Sequence, residues 1–146
     1  MNSITEWLGK GSESESGQNW NDFGLLIVRV AIGLIMMLGH GSGKLTGFAD
    51  RADSFADPFG IGPMASLSLA VFAEFFCSIA LIFGLFTRLA VIPLIITMLV
   101  AIFYVHINDP WNKIEFPLLF LVTYIMLFFT GAGRFSIDRK LFGGRR

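Results

Sequence analysis

Residues 23–47 read FGLLIVRVAIGLIMMLGHGSGKLTG. In Phe23–Gly39, a run of seventeen residues, Arg29 is the only group that is neither apolar nor glycine. A spanning helix needs roughly 20 mostly apolar residues, with about 17 as the lower limit. The stretch therefore reads as a membrane helix, and its continuation adds His40 and Lys44. An ionisable group costs about 2.5–3.5 kcal/mol at the centre of such a helix. Groups retained at that cost are the first place to look for chemistry.

The rest of the chain supports lipid as its solvent. Mean hydropathy is +0.68 and 54% of the 146 residues are hydrophobic. A soluble domain of this length has too little interior to hide that much apolar surface. Net charge is zero, which gives no basis for binding nucleic acid. The single cysteine, Cys77, excludes an internal disulfide and a CxxC redox pair. The N-terminal residues 1–22 are polar and acidic, with Glu6, Glu13 and Glu15 where a signal peptide has a basic region. They read as a disordered tail.

Three further apolar runs come after the first, without the two-residue alternation of strands. The expected spans are 23–43, 63–86, 88–106 and 113–131, forming one domain over 23–133 with a basic tail at 134–146. The fold class is all-α: an integral membrane four-helix antiparallel bundle. Almost nothing, Thr87-Arg88, joins the second and third spans, which forces a hairpin, with Thr87 placed to cap the third helix. Asp109-Pro110 or Asn112 would cap the fourth. The longer first loop holds Phe48, Ala52, Phe55 and Phe59 at helical spacing, and reads as a short amphipathic segment on the bundle mouth. Seven Lys/Arg lie on the side of the termini and the 2–3 turn, against three (Lys44, Arg51, Lys113) on the other. Both termini are therefore expected in the cytoplasm, with the tail drawn to the anionic leaflet.

Counting 1.5 Å per residue from the cytoplasmic end gives the depth of each group. Arg29 lies roughly 9 Å in, Glu74 about 18 Å, Glu115 about 22 Å, and His40 and His106 about 25 Å. Lys44 comes higher still. Arg29, Gly33, Met36, His40 and Lys44 form one stripe of the first helix. Gly39, Gly43 and Gly47 add a ridge for close helix approach. Ser66, Ala70, Glu74, Cys77 and Ser78 make a small polar face on the second helix. The two faces should meet in a buried Glu74–His40–Lys44 cluster. The third helix presents Pro93, Thr97, Ala101 and Tyr104, and by count His106 points about 180° from Thr97. The candidate catalytic groups are Glu74 and His40. The candidate ligand-binding groups are Arg29, Lys44, Tyr104, His106 and Glu115. No metal site is expected, and the facing of His106 counts against a haem held between His40 and His106.

The stretches RVAIGLIMMLGHGSGKLTG, FAEFFCSIALIFGLFTRLA, TMLVAIFYVHIND and GAGRFSID, in that order, resemble the DoxX family of small bacterial membrane proteins. The resemblance implies a multi-pass protein of the bacterial cytoplasmic (inner) membrane, at most a subunit of an oxidoreductase complex. It places Arg29, His40, Lys44, Glu74 and His106 on positions of the family pattern. Three readings stand at this point. The cluster holds a quinone or a small acidic ligand in a redox-associated subunit. Alternatively, the protein is a non-catalytic scaffold recruiting soluble oxidoreductase or stress enzymes. Or it is a small transporter, which with four short helices would need a homo-oligomer.

Overall fold

The computed structural model describes residues 15–143. The first helix, α1, runs Glu15–Met36, passes through a π-helical turn at Met37–Gly41 and ends in an α-helical turn, Ser42–Thr46. A single-turn helix, α2, covers Phe48–Arg51. Helix α3 begins as Pro63–Val71, takes a π turn at Phe72–Cys77 and finishes as Ser78–Phe83. Helix α4 covers Thr87–Val100 and closes in a third π turn, Ala101–Val105. Helix α5 is Trp111–Thr130 and α6 is Ile137–Phe142. No strand occurs among the described residues. Four of these helices (α1, α3, α4 and α5) are long and apolar enough to cross a membrane.

The first span departs from expectation at both ends. Residues 1–14 of the expected tail lie outside the described residues, as do 144–146. Glu15–Asp22, however, is helical rather than disordered. This polar segment has partners: Asp22 Oδ1 accepts from the Arg134 backbone N–H at 2.9 Å, and Asn19 Oδ1 accepts from Arg134 Nη1 at 2.9 Å.

The distribution of side chains suits lipid. Phe76, Phe83, Phe103, Leu119 and Phe129 face outward, while Arg29, Ser66, Glu74, Ser78 and Thr87 are buried. Leu81, Val91, Leu94, Met98, Phe120, Tyr124 and Leu127 form the central core, drawn from α3, α4 and α5, and Met36 joins it from α1. With hydrocarbon outside as apolar as the core, packing and internal polar bonds hold the helices together.

Close approach between α1 and α3 depends on Gly33 and Gly41, not on the expected Gly39–Gly43–Gly47 ridge. A Cβ at Gly41 would stand 2.7 Å from the Glu74 carbonyl carbon and oxygen. One at Gly33 would stand 2.7 Å from Ile82 Cγ1. Gly39 and Gly43 meet open space. The cause is the π turn in this part of α1. It inserts one residue and rotates the downstream part of the helix by about 100°, so Gly41 falls in line with Gly33.

The expected caps are also replaced. Thr87 begins α4 but does not cap it. Phe86 occupies the cap position in a left-handed conformation, φ 46°, with no side-chain bond of its own. The carboxylate of Asp138 does the capping, accepting from Phe86 N at 2.6 Å and Thr87 N at 2.9 Å. Helix α5 has Pro110 at its cap and no capping side chain. In the first loop only Phe48–Arg51 is helical. The apolar face nevertheless forms: Phe48, Ala52 and Phe55 pack on Leu67, Val71 and Phe75 of α3, while Phe59 stays exposed.

Candidate functional site

The end of the molecule that carries the first loop contains a cavity of about 480 Å³. The three π turns of the described residues all border it, contributing His40 from α1, Glu74 from α3, and Ala101 and Val105 from α4. Phe55, Ala56, Pro58 and Phe59 of the loop roof it, and Phe116, Pro117 and Phe120 of α5 close one side. A volume of a few hundred Å³, mostly apolar with few polar groups, is the usual form of a small-molecule site.

Its floor is an ion pair. Lys44 Nζ donates to Glu74 Oε2 at 2.6 Å, with the two side chains 18% and 6% exposed. Of the expected Glu74–His40–Lys44 cluster, Lys44 and Glu74 meet, while His40 is exposed and makes no hydrogen bond to either among the described residues. Each charge of the pair is tolerable among apolar helices because the other neutralises it. His40 also lines the cavity, its ring edge-on to Phe120 with centroids 6.0 Å apart.

His106 lines the cavity as well, together with Thr97, against the expectation that it points away. The π turn Ala101–Val105 lies between the two. One inserted residue reduces the separation from about 180° to about 80°. The ring is held from outside: His106 Nδ1 lies 2.7 Å from Asp109 Oδ2.

The other expected residues lie elsewhere. Tyr104 is exposed, its hydroxyl 3.5 Å from the Asp57 carbonyl, and is not part of the cavity wall. Glu115 is half-buried at the start of α5, also off the wall. Arg29 lies at the opposite end, 1% exposed, and its Nη2 donates to the Phe135 carbonyl at 2.7 Å. Among the described residues, no group of three His, Cys, Asp or Glu side chains is placed to hold a metal ion.

Asp57 is not among the residues singled out from the sequence. Its carboxylate accepts from Ser66 Oγ at 2.7 Å, Gly62 N at 2.8 Å and Ile61 N at 3.1 Å. These bonds, Ser66 first, hold the carboxyl below its ordinary range. They tie the roof of the cavity to the start of α3. The sequence signal is Asp57-Pro58 with Gly60 and Gly62 close behind, an aspartate-initiated turn. Both glycines have positive φ, 67° and 100°.

A second polar knot forms where the C-terminal segment returns to the helices. Asp138 N donates to the Gly84 carbonyl at 2.9 Å, Ser136 Oγ accepts from Arg139 N at 3.2 Å, and Arg29 reaches Phe135. Gly84, φ 66°, lies against the Arg29 guanidinium where a side chain would collide. The residues GAGRFSID therefore latch the tail onto the α3–α4 turn.

These features define a small multi-pass helical membrane protein with a ligand-sized cavity over a buried ion pair. The chain belongs to the DoxX family, whose profile matches residues 24–107. It is 31% identical over 124 residues to the Escherichia coli protein named Inner membrane protein YqjF, covering 82% of this chain and 93% of that one. It is 28% identical over 138 residues to an uncharacterized protein of Haemophilus influenzae (91% and 74%). It is 29% identical over 127 residues to the Bacillus subtilis protein named "Putative oxidoreductase CatD" (86% and 92%). No solved structure matches the chain.

Proposed function

We propose that this protein is a redox-associated subunit of the bacterial inner membrane, inserted as an antiparallel bundle with both termini cytoplasmic, and that its cavity takes a quinone. The observation that carries the reading is the Lys44–Glu74 pair at the floor of a mostly apolar cavity. The pair has no net charge, which suits a neutral carbonyl compound from the bilayer better than a free acid. An acid would have to compete with Glu74 for Lys44. A quinone oxygen only accepts, and the Lys44 ammonium has protons beyond the one given to Glu74. In this reading Glu74, bonded to Lys44, exchanges protons with whatever Lys44 holds, and His40 on the same cavity wall is a second proton carrier. The names of the Escherichia coli and Bacillus subtilis relatives support the location and the redox association, and the excess of Lys/Arg beside the termini supports the orientation.

The test is saturable binding of a short-chain benzoquinone to the purified protein in nanodiscs. Lys44→Met is expected to weaken it by roughly tenfold, the worth of one charge-assisted hydrogen bond. A wild-type protein that does not bind the quinone sinks the reading.

A second reading, recruitment of a soluble oxidoreductase, draws on α6. There Leu141 and Phe142 lie exposed beside Arg139 and Lys140 on a latched helix.

A further inference from the structure

The cavity wall carries a second polar station that the Lys44–Glu74 pair does not explain. His106 lines the wall, and its Nδ1 stands 2.7 Å from Asp109 Oδ2. An ionised carboxylate can only accept, so Nδ1 carries a proton in this bond. The backbone reinforces the arrangement: Asp109 N donates to the His106 carbonyl at 3.0 Å, closing a turn that brings the carboxylate to the ring. The one ring nitrogen left to address a ligand is Nε2. In the neutral imidazole with Nδ1 protonated, Nε2 is an acceptor. The partner on one nitrogen thus sets the role of the other, as it does for histidines that bind metals.

The two stations are therefore unlike. Lys44 offers only donors. His106, tied by Asp109, offers an acceptor. Among the described residues His40 has no such tie; it packs edge-on against Phe120. A benzoquinone presents two acceptor oxygens. If one takes a hydrogen bond from Lys44, the other meets the Nε2 lone pair with its own. The hydroquinone presents two hydroxyls. One donates to Nε2, and the other accepts from Lys44 while its proton is available to Glu74.

We propose that Asp109 is a positioning residue that fixes His106 as an acceptor and so makes the cavity prefer the hydroxyl-bearing, reduced form of its aromatic ligand. The proposal rests on the quinone reading above and adds to it which redox form is held.

The experiment compares a short-chain benzoquinone and its hydroquinone, bound anaerobically at pH 8 to the full chain in nanodiscs. The hydroquinone should bind on the order of tenfold more tightly, the difference one matched hydrogen bond makes. Asp109→Ala should bring the hydroquinone level with the quinone. Histidine side-chain ¹⁵N spectra of the wild-type protein should show His106 protonated at Nδ1, and Asp109→Ala should redistribute that proton. Equal binding of the two forms, a preference that survives Asp109→Ala, or a wild-type His106 protonated at Nε2 alone would each overturn the proposal while leaving the quinone reading in place. The spectrum decides even where the variant fails to fold. Failure of both forms to bind overturns the two together.

Discussion

Arg29 and Lys44 lie on the same helix, 15 residues and about 22 Å apart, and each is a cation held among apolar helices. Their surroundings differ. Arg29 is sealed by the returning tail and gives one bond to a backbone carbonyl, and its Nε and Nη1 have no partner among the described residues. The negative charge that acts on it is Asp138, which is committed to capping α4. Lys44 has a carboxylate of its own at 2.6 Å and a cavity beside it. A costly charge in a membrane span is thus not by itself a mark of chemistry. Arg29 fastens the tail. Lys44 has the space next to it that a ligand requires.

The sharpest way to test this contrast is to break the pair one side at a time. Glu74→Leu leaves Lys44 buried without compensation and should destabilise the protein by about 3–5 kcal/mol. Adding Lys44→Met to it should recover most of that loss, because no charge is then stranded. Unfolding titrations of the three proteins in the same detergent measure the cycle. The double variant should fold and still bind quinone roughly tenfold more weakly than wild type, because the Lys44 donor is gone. If it binds as well as wild type, the pair is a fastening like Arg29 and the contrast collapses.

The tail-end half of the contrast is tested with Asp138→Ala. It removes the acceptor for two backbone N–H groups at the start of α4 and should cost about 1 kcal/mol, within the roughly 0.5–2 kcal/mol range of lost helix caps. Quinone affinity, set at the other end, should not move. Any soluble enzyme that co-purifies through α6 should be lost, since the latch that presents Leu141 and Phe142 is loosened. An equal loss of quinone binding would show that the two ends are not independent.

Much of the loop-end site was legible in the sequence. Hydropathy and length define four spans, and the stripe from Arg29 to Lys44 and the polar face around Glu74 predict which charges meet. Rotation about the helix axes was not legible. Each π turn inserts one residue without any mark in composition, and each changes which side chains face inward. In α1 it exchanges Gly39 and Gly43 for Gly41; in α4 it turns His106 onto the cavity. The tail-end knot was hidden for a different reason. Asp138 caps a helix 51 residues earlier, and Arg134 bonds Asp22 across 112. Local propensity favours Thr87 as the cap, and tertiary contact overrides it.

The smallest expected effect concerns the roof of the cavity, which the tail end has no counterpart for. Asp57 joins the first loop to α3 through Ser66, Gly62 and Ile61. Its folded-state carboxyl titrates below the ordinary 3.8. A depressed carboxyl contributes stability in full above the unfolded value, and that contribution is lost as pH falls through the folded value. The tether should therefore loosen as pH falls, with a midpoint below 3.8. Backbone amide shifts of Ile61 and Gly62, tracked by NMR as pH is lowered, should report this titration and should be flat in Asp57→Asn. The Gly84 amide at the other end, which donates to the Leu81 carbonyl, should not track the same curve. A midpoint at or above 3.8 would mean that Ser66 and the two amides do not favour the charged form. The roof would then rest on the packing of Phe48, Ala52 and Phe55 alone.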